Sequence, residues 1–195
     1  MLRFPVLVLS HLTDPRLIGA VYVLSEIFLA LTKRSRAPGP SRDRGSLLAL
    51  WITISLAIFF AQFALTVRGA RLPHPGLWAV AGLIIFISGI ALRWWAILHL
   101  GRYFTVDVTI SPEQEVVETG PYRLIRHPSY TGSLIAFIGF GLTMRNWLAL
   151  VIMLVPITIA FLWRIHVEEK ALMDGLGEPY RHYMAHTKRL IPFVY

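Results

Sequence analysis

The sequence predicts an all-α integral membrane protein of five transmembrane helices, the last two forming a helical hairpin. Three observations lead there. Of 195 residues, 55% are hydrophobic and only 15% charged, against about 25% charged in an ordinary soluble domain. Mean hydropathy is +0.59. The apolar residues gather in runs near the ~20 residues a helix needs to cross the hydrocarbon core, and basic residues fall between the runs.

The first run extends from Leu17 to Thr32, the second from Leu47 to Val67 and the third from Leu77 to Leu98. A fourth apolar region, Ser129 to Trp163, is too long for one span. It is interrupted at Met144-Arg145-Asn146 and carries Pro156. Two helices joined by a tight turn fit it. Met1 to Leu12 is apolar but short, lacks a small-residue cleavage site, and reads as an interfacial segment. The whole chain, 1–195, is then one membrane domain: three N-terminal spans in 1–98 and a region carrying polar chemistry in 99–195.

The formal net charge of +8 resembles a nucleic-acid signal until it is placed. Lys33, Arg34, Arg36, Arg42 and Arg44 form the most basic loop, which the positive-inside rule sets in the cytoplasm. Anionic lipid is the expected partner and nucleic acid is not. Counting spans from that loop places the 99–131 segment and the C-terminal tail on the same cytoplasmic face. The absence of cysteine excludes a disulfide scaffold, a cysteine nucleophile, an iron–sulfur cluster and a thiolate zinc site. No histidine spacing makes a convincing metal site, and no strand–GxGxxG–helix unit marks a Rossmann domain.

Polar residues concentrate in two blocks that flank the hairpin, Thr119 to Gly132 and Arg164 to Pro192. A hairpin returns to the surface it left, so both blocks meet there. In the first, Pro121 and Pro128 restrict the backbone, while Gly120 and Gly132 permit close approach. His127 precedes a proline and is biased out of helix, at the start of the fourth span. An interface anchor is the plain alternative for Arg126-His127, with Tyr122 and Tyr130 as belt aromatics. In the second block, Arg164 and Glu168 stand one helical turn apart, as an ion pair or a functional pair. Glu169 is rotated away from them and reads as solvated. Within the spans, Glu26 is open to pairing with an arginine, Arg93 among the candidates, or to touching ligand. Arg93-Trp94-Trp95 reads as a snorkelling arginine with interface indoles.

The ordered phrases GPYRLIRHPSYTG (Gly120 to Gly132), EEKALMDGLGEPYRHY (Glu168 to Tyr183) and RLIP (Arg189 to Pro192) resemble the isoprenylcysteine carboxyl methyltransferase family of integral membrane enzymes. The similarity covers Tyr103 to Tyr195. It implies S-adenosyl-L-methionine as methyl donor and an S-prenylcysteine-like carboxylate, arriving from the bilayer, as acceptor. It places the cofactor against Gln114, Glu115, Val116, Val117, Tyr122, His127, Pro128, Ser129, Tyr130 and Glu168. Arg164 holds the acceptor carboxylate, and Arg164 and Glu168 together form the catalytic pair. Many relatives carry His-x-Leu-Val where this chain has Gln114-Glu115-Val116-Val117. Arginine-rich, lysine-poor usage and the short chain fit a prokaryotic protein, with the inner membrane as its place.

The chemistry agrees with that resemblance. A carboxylate is ionised at neutral pH, so its methylation needs no general base. It needs desolvation and in-line placement. A guanidinium binds a carboxylate bidentately, Glu168 suits an ammonium or ribose hydroxyls, and His127 with its neighbouring backbone suits the donor's carboxylate. Three rivals remain: a phospholipid or small-molecule methyltransferase of the same superfamily, an NADPH-dependent sterol-type reductase sharing a His-Pro-x-Tyr-x-Gly phrase, and a non-enzymatic membrane scaffold. The acceptor's identity and the oligomeric state are not written in the sequence.

Overall fold

A computed structural model describes residues 11–32, 45–106 and 114–195. The basic loop 33–44, most of the interfacial segment at the N-terminus, and Asp107 lie outside the described residues. The helices are α1 (Pro15–Thr32), α2 (Ser46–Ala64), α3 (Pro75–Leu100), α4 (Pro128–Thr143), α5 (Trp147–Leu176) and α6 (Glu178–His186). Pro75 and Pro128 each open a helix, where a missing N–H costs nothing. The boundaries follow the apolar runs to within three residues, except that α5 continues past Trp163 for more than three turns.

Length sorts these helices. Four of them, α1, α2, α3 and α5, are long and apolar enough to cross a membrane. The 16 residues of α4 rise about 24 Å, short of the ~30 Å hydrocarbon core. By length and composition four helices among the described residues can cross, with α4 as the shorter arm of the expected hairpin. The 30 residues of α5 rise about 45 Å and run through Pro156, longer than the ~30 Å core needs; measured from Trp147, Arg164 comes about 26 Å along, near the core's far edge, and Glu168 and Glu169 lie past it.

The hairpin turn is fixed by two residues. Arg145 adopts φ 56°. Asn146, fully buried, accepts from Ala149 N at 2.9 Å as the N-cap of α5 and donates to Ala64 O at 2.9 Å. One side chain thus starts α5 and ties it to the end of α2. From there α2 and α5 pack along their length. Ile54, Ala57, Ala61 and Ala64 lie on one helical face, opposite Ala149, Met153, Ile157 and Ala160.

The tightest pairing is α3 with α4. Its cause is a seven-residue repeat of glycine on both helices. Gly82 and Gly89 face Gly139 and Gly132, and a Cβ built on Gly89 meets Gly132 O at 2.6 Å. A Cβ on Gly132 meets Arg93 N at 2.5 Å. Small residues let two backbones touch where lipid supplies no hydrophobic drive for helix association.

Helix α1 makes fewer contacts, and a buried ion pair anchors it. Arg93 Nε donates to Glu26 Oε1 and Nη2 to Oε2, both at 2.7 Å. Arg93 Nη1 donates to Ser133 Oγ at 2.8 Å. The candidate pairing holds, but the snorkelling reading of Arg93 does not. Its guanidinium turns inward, only 8% exposed, because a carboxylate and a hydroxyl inside the bundle offset the cost of burial. Trp94 donates to Ser25 Oγ at 2.9 Å, and Trp95 alone of the pair remains exposed. Glu26→Ala is expected to cost about 3–5 kcal/mol, since it strands a buried cation, whereas Glu26→Leu combined with Arg93→Met restores most of that loss. Thermal unfolding in detergent measures both.

Candidate active site

One cavity joins the two polar blocks. It has about 1320 Å³ of empty space, counting its open mouth. The 100–106 segment supplies Leu100, Tyr103, Phe104, Thr105 and Val106. The next segment supplies Gln114, Glu115, Val116, Val117 and Tyr122, and the start of α4 supplies Ser129 and Tyr130 after Arg126 and His127. The far end of α5 adds Arg164, Glu168, Leu172 and Leu176, and α6 adds Tyr180 and Tyr183. On the membrane side the wall is apolar: Leu47, Leu50, Trp51 and Ile54 of α2 with Phe161 of α5. Tyr22, Glu26 and Arg93 also belong to the lining. The cavity therefore reaches beyond the 99–195 region into α1 and α2.

Helical periodicity explains which groups of α5 reach it. Ile157, Ala160 and Arg164 continue the stripe that packs on α2. Arg164, 3% exposed, donates through Nη1 to Ser46 Oγ at 2.9 Å, through Nη2 to Val106 O at 2.6 Å and through Nε to Tyr130 Oη at 3.1 Å. Tyr130 Oη in turn donates to Glu168 Oε2 at 2.7 Å. The link between Arg164 and Glu168 thus runs through a tyrosine hydroxyl from another helix, where the sequence offered an i,i+4 ion pair. Arg164 stands where the apolar wall meets the polar end.

The neighbouring stripe, Phe161, Ile165 and Glu169, faces the start of α4. The expectation that Glu169 is solvated is overturned: it is 1% exposed. Oε1 accepts from Arg126 Nε at 2.9 Å and lies 3.2 Å from His127 Nε2, while Oε2 accepts from Arg189 Nε at 2.9 Å. Successive residues of a helix differ by 100°, so a turn beyond the lipid one glutamate faces the cavity and the next faces the chain that follows α6. That tail lies against the first block. Arg126 N donates to Lys188 O at 2.7 Å, His127 N to Arg189 O at 3.0 Å and Thr131 Oγ1 to Leu190 O at 2.9 Å.

The other expected residues sort as follows. Gln114, Glu115, Val116, Val117, Tyr122, His127, Ser129, Tyr130, Glu168 and Arg164 all line the cavity. Pro128 does not. It is buried as the first residue of α4, setting the backbone rather than offering a surface. His127, with φ −123° and ψ 57°, stands just before that helix, outside helical geometry as a residue preceding proline should. Gly120 has φ 58°, and a Cβ there meets the His99 ring at 2.6 Å. Arg126, Arg189, Tyr183, Ser46 and the α2 wall were not anticipated. Of these Arg126, Arg189 and Tyr183 carried a signal, as residues inside the two blocks.

Tyrosines stiffen the polar end. Tyr183 Oη donates to Tyr122 O at 2.7 Å, and Tyr122 Oη donates to Ala96 O at 3.3 Å. Burial pushes the Tyr122, Tyr180 and Tyr183 phenols well above the ordinary range. They stay neutral and add no charge to the cavity.

Comparison with known proteins follows the same geometry. The family model described as the isoprenylcysteine carboxyl methyltransferase (ICMT) family matches residues 82–174, which hold α4, most of α3 and nearly all of α5. Protein-S-isoprenylcysteine O-methyltransferase A of Arabidopsis thaliana is 34% identical over 157 residues, 73% of this chain and 80% of that protein. The Saccharomyces cerevisiae protein-S-isoprenylcysteine O-methyltransferase is 35% identical over 120 residues, 60% of this chain and 50% of its own length. The solved structure of the eukaryotic intramembrane Ras methyltransferase ICMT superposes with a TM-score of 0.57 at 27% identity, covering 76% of this chain. This chain spans about half the length of that structure, 51%. On sequence and architecture together, the chain belongs to the isoprenylcysteine carboxyl methyltransferase family of membrane enzymes.

Proposed function

We propose that this protein transfers a methyl group from S-adenosylmethionine to the carboxylate of a lipophilic, S-prenylcysteine-like acceptor. The observation that carries the reading is the division of the cavity. A buried arginine stands at the boundary between an apolar wall on the membrane side and a polar end bearing carboxylates and aromatic rings.

The donor set fits S-adenosylmethionine. Glu168 and Glu115 suit an ammonium and ribose hydroxyls, Arg126 suits a carboxylate, and Tyr103, Phe104 and Tyr122 offer faces to a purine or a cationic sulfur. When bound, S-adenosylmethionine supplies an electrophilic methyl on a sulfonium that departs as a neutral thioether. Everything else is the work of this chain. Arg164 orients the acceptor carboxylate and neutralises it as it leaves water. Leu47, Leu50, Trp51, Ile54 and Phe161 receive the hydrocarbon chain and exclude water, so the anion reacts desolvated. Tyr130 holds Arg164 and Glu168 in fixed relation. The acceptor arrives ionised, and no residue is asked to take a proton. By the loop-charge count, the polar mouth opens on the cytoplasmic face.

Calorimetry in detergent tests this. Wild type is expected to bind S-adenosylmethionine, and Glu168→Ala to weaken it by roughly 10–150-fold, the loss of hydrogen bonds to a charged group. Radiolabelled methyl is then expected to appear on an N-acetyl-S-prenylcysteine as a base-labile ester. Binding of NADPH instead of S-adenosylmethionine sinks the proposal in favour of a reductase, and binding of neither favours a scaffold.

A further inference from the structure

Glu169 is the most buried carboxylate of the described residues, yet it lines no part of the cavity. Its oxygens serve Arg126, His127 and Arg189, which come from the segment before α4 and from the tail. A carboxylate has no proton to give, so in its contact with His127 the ring Nε2 is the donor. Arg126 and Arg189 already set two cations against one anion. The imidazole beside them is only 4% exposed. With its hydrogen on Nε2, the neutral tautomer carries a lone pair on Nδ1. His127 does line the cavity, and its ring is held flat near Tyr130 at 5.7 Å between centroids.

We infer that Glu169 is a positioning residue that locks His127 as the Nε2–H tautomer, so that Nδ1 offers a bound methyl donor a hydrogen-bond acceptor. His127 then takes an O–H or N–H group, a ribose hydroxyl or the ammonium, and not the donor's carboxylate. The carboxylate is left to Arg126, the cavity-lining cation nearest in sequence. This rests on the S-adenosylmethionine reading above and changes the role expected for His127. It also gives the tail a function. By holding Arg189 and Arg126 together, Glu169 makes the tautomer depend on the tail staying docked.

Two measurements on the full chain in detergent test it. The first is nitrogen NMR of histidine-labelled protein, with His127 assigned from a His127→Ala spectrum. Wild type is expected to show the neutral Nε2–H form. Glu169→Gln, whose amide offers Nε2 a donor as well as an acceptor, is expected to shift the ring toward Nδ1–H, and Glu169→Asp to keep the wild-type form. A merely structural glutamate would leave the tautomer unchanged. The second is calorimetry with S-adenosylhomocysteine and analogues lacking the 2′-hydroxyl, the 3′-hydroxyl, the amino group or the carboxylate. One of the three donor-group deletions is expected to weaken wild-type binding by roughly 5–50-fold, and His127→Ala to abolish that difference. The carboxylate deletion is expected to weaken both proteins equally. An Nδ1–H or charged ring in wild type, or coupling of His127 to the carboxylate alone, overturns the inference. If Glu169→Gln fails to fold, the wild-type tautomer and the analogue series still decide. Failure of wild type to bind any analogue overturns the underlying S-adenosylmethionine reading, which the tautomer spectrum does not address.

Discussion

Arg164→Ala is expected to reduce kcat/KM for methylation of a prenylcysteine carboxylate by between about 30-fold and 4,000-fold. That is the 2–5 kcal/mol at stake when one partner of a desolvated charge pair is removed. The donor's Kd is expected to change much less, because Arg164 stands on the boundary with the apolar wall and Glu168 retains its bond from Tyr130. Arg164→Lys is expected to recover little. An ammonium is a point charge and reproduces neither the fork presented to a carboxylate nor the directed bonds to Ser46, Val106 and Tyr130. Methyl transfer and donor calorimetry on the same preparations separate the two effects. Equal losses in donor affinity and turnover would make Arg164 a support for the cavity rather than a ligand of the acceptor.

Gly89→Val is the second large effect. It is expected to destabilise the bundle by about 3 kcal/mol or more, a fall in Tm of roughly 6–12 °C for a chain of this size. The obstruction is Gly132 O and the backbone of Ala136, and no flexible side chain is there to yield. The helices must separate, and Arg93, one turn further along α3, then loses its place against Glu26 and Ser133. Gly76→Ala is the matching control. Its Cβ meets nothing within 4 Å, and removing a glycine from a helix is neutral or mildly stabilising. Thermal unfolding in detergent compares the two. A wild-type Tm for Gly89→Val would show that the close approach of α3 and α4 contributes little.

Much of this architecture was legible in the chain. Apolar run length located the helices, since the hydrocarbon core imposes its thickness on any segment that crosses it. The break at Met144-Arg145-Asn146 located the hairpin. A hairpin returns both polar blocks to one surface, and the family resemblance singled out Tyr122, His127, Tyr130, Arg164 and Glu168 within them. A carboxylate and a guanidinium inside apolar runs seek each other, which made Glu26 and Arg93 candidate partners.

What the chain did not reveal is what lies opposite each face. Periodicity puts Arg164 and Glu168 on one side of α5 and Glu169 on another, but which side meets water depends on neighbours distant in sequence. Ser46 is 118 residues from Arg164, and His127 is 42 from Glu169. Glu169 therefore read as solvated, and the docked tail made it the most buried acid among the described residues. Arg93 read as snorkelling, and a partner 67 residues away turned it inward. The apolar wall of α2 looked like any lipid-facing stripe until α5 packed beside it. Local sequence determined which segments are helices and which residues share a face, because both follow from short-range geometry and hydropathy. Only the tertiary structure decided which buried charges are compensated and which faces enclose a cavity, because desolvation and pairing depend on the groups that packing brings across the gap.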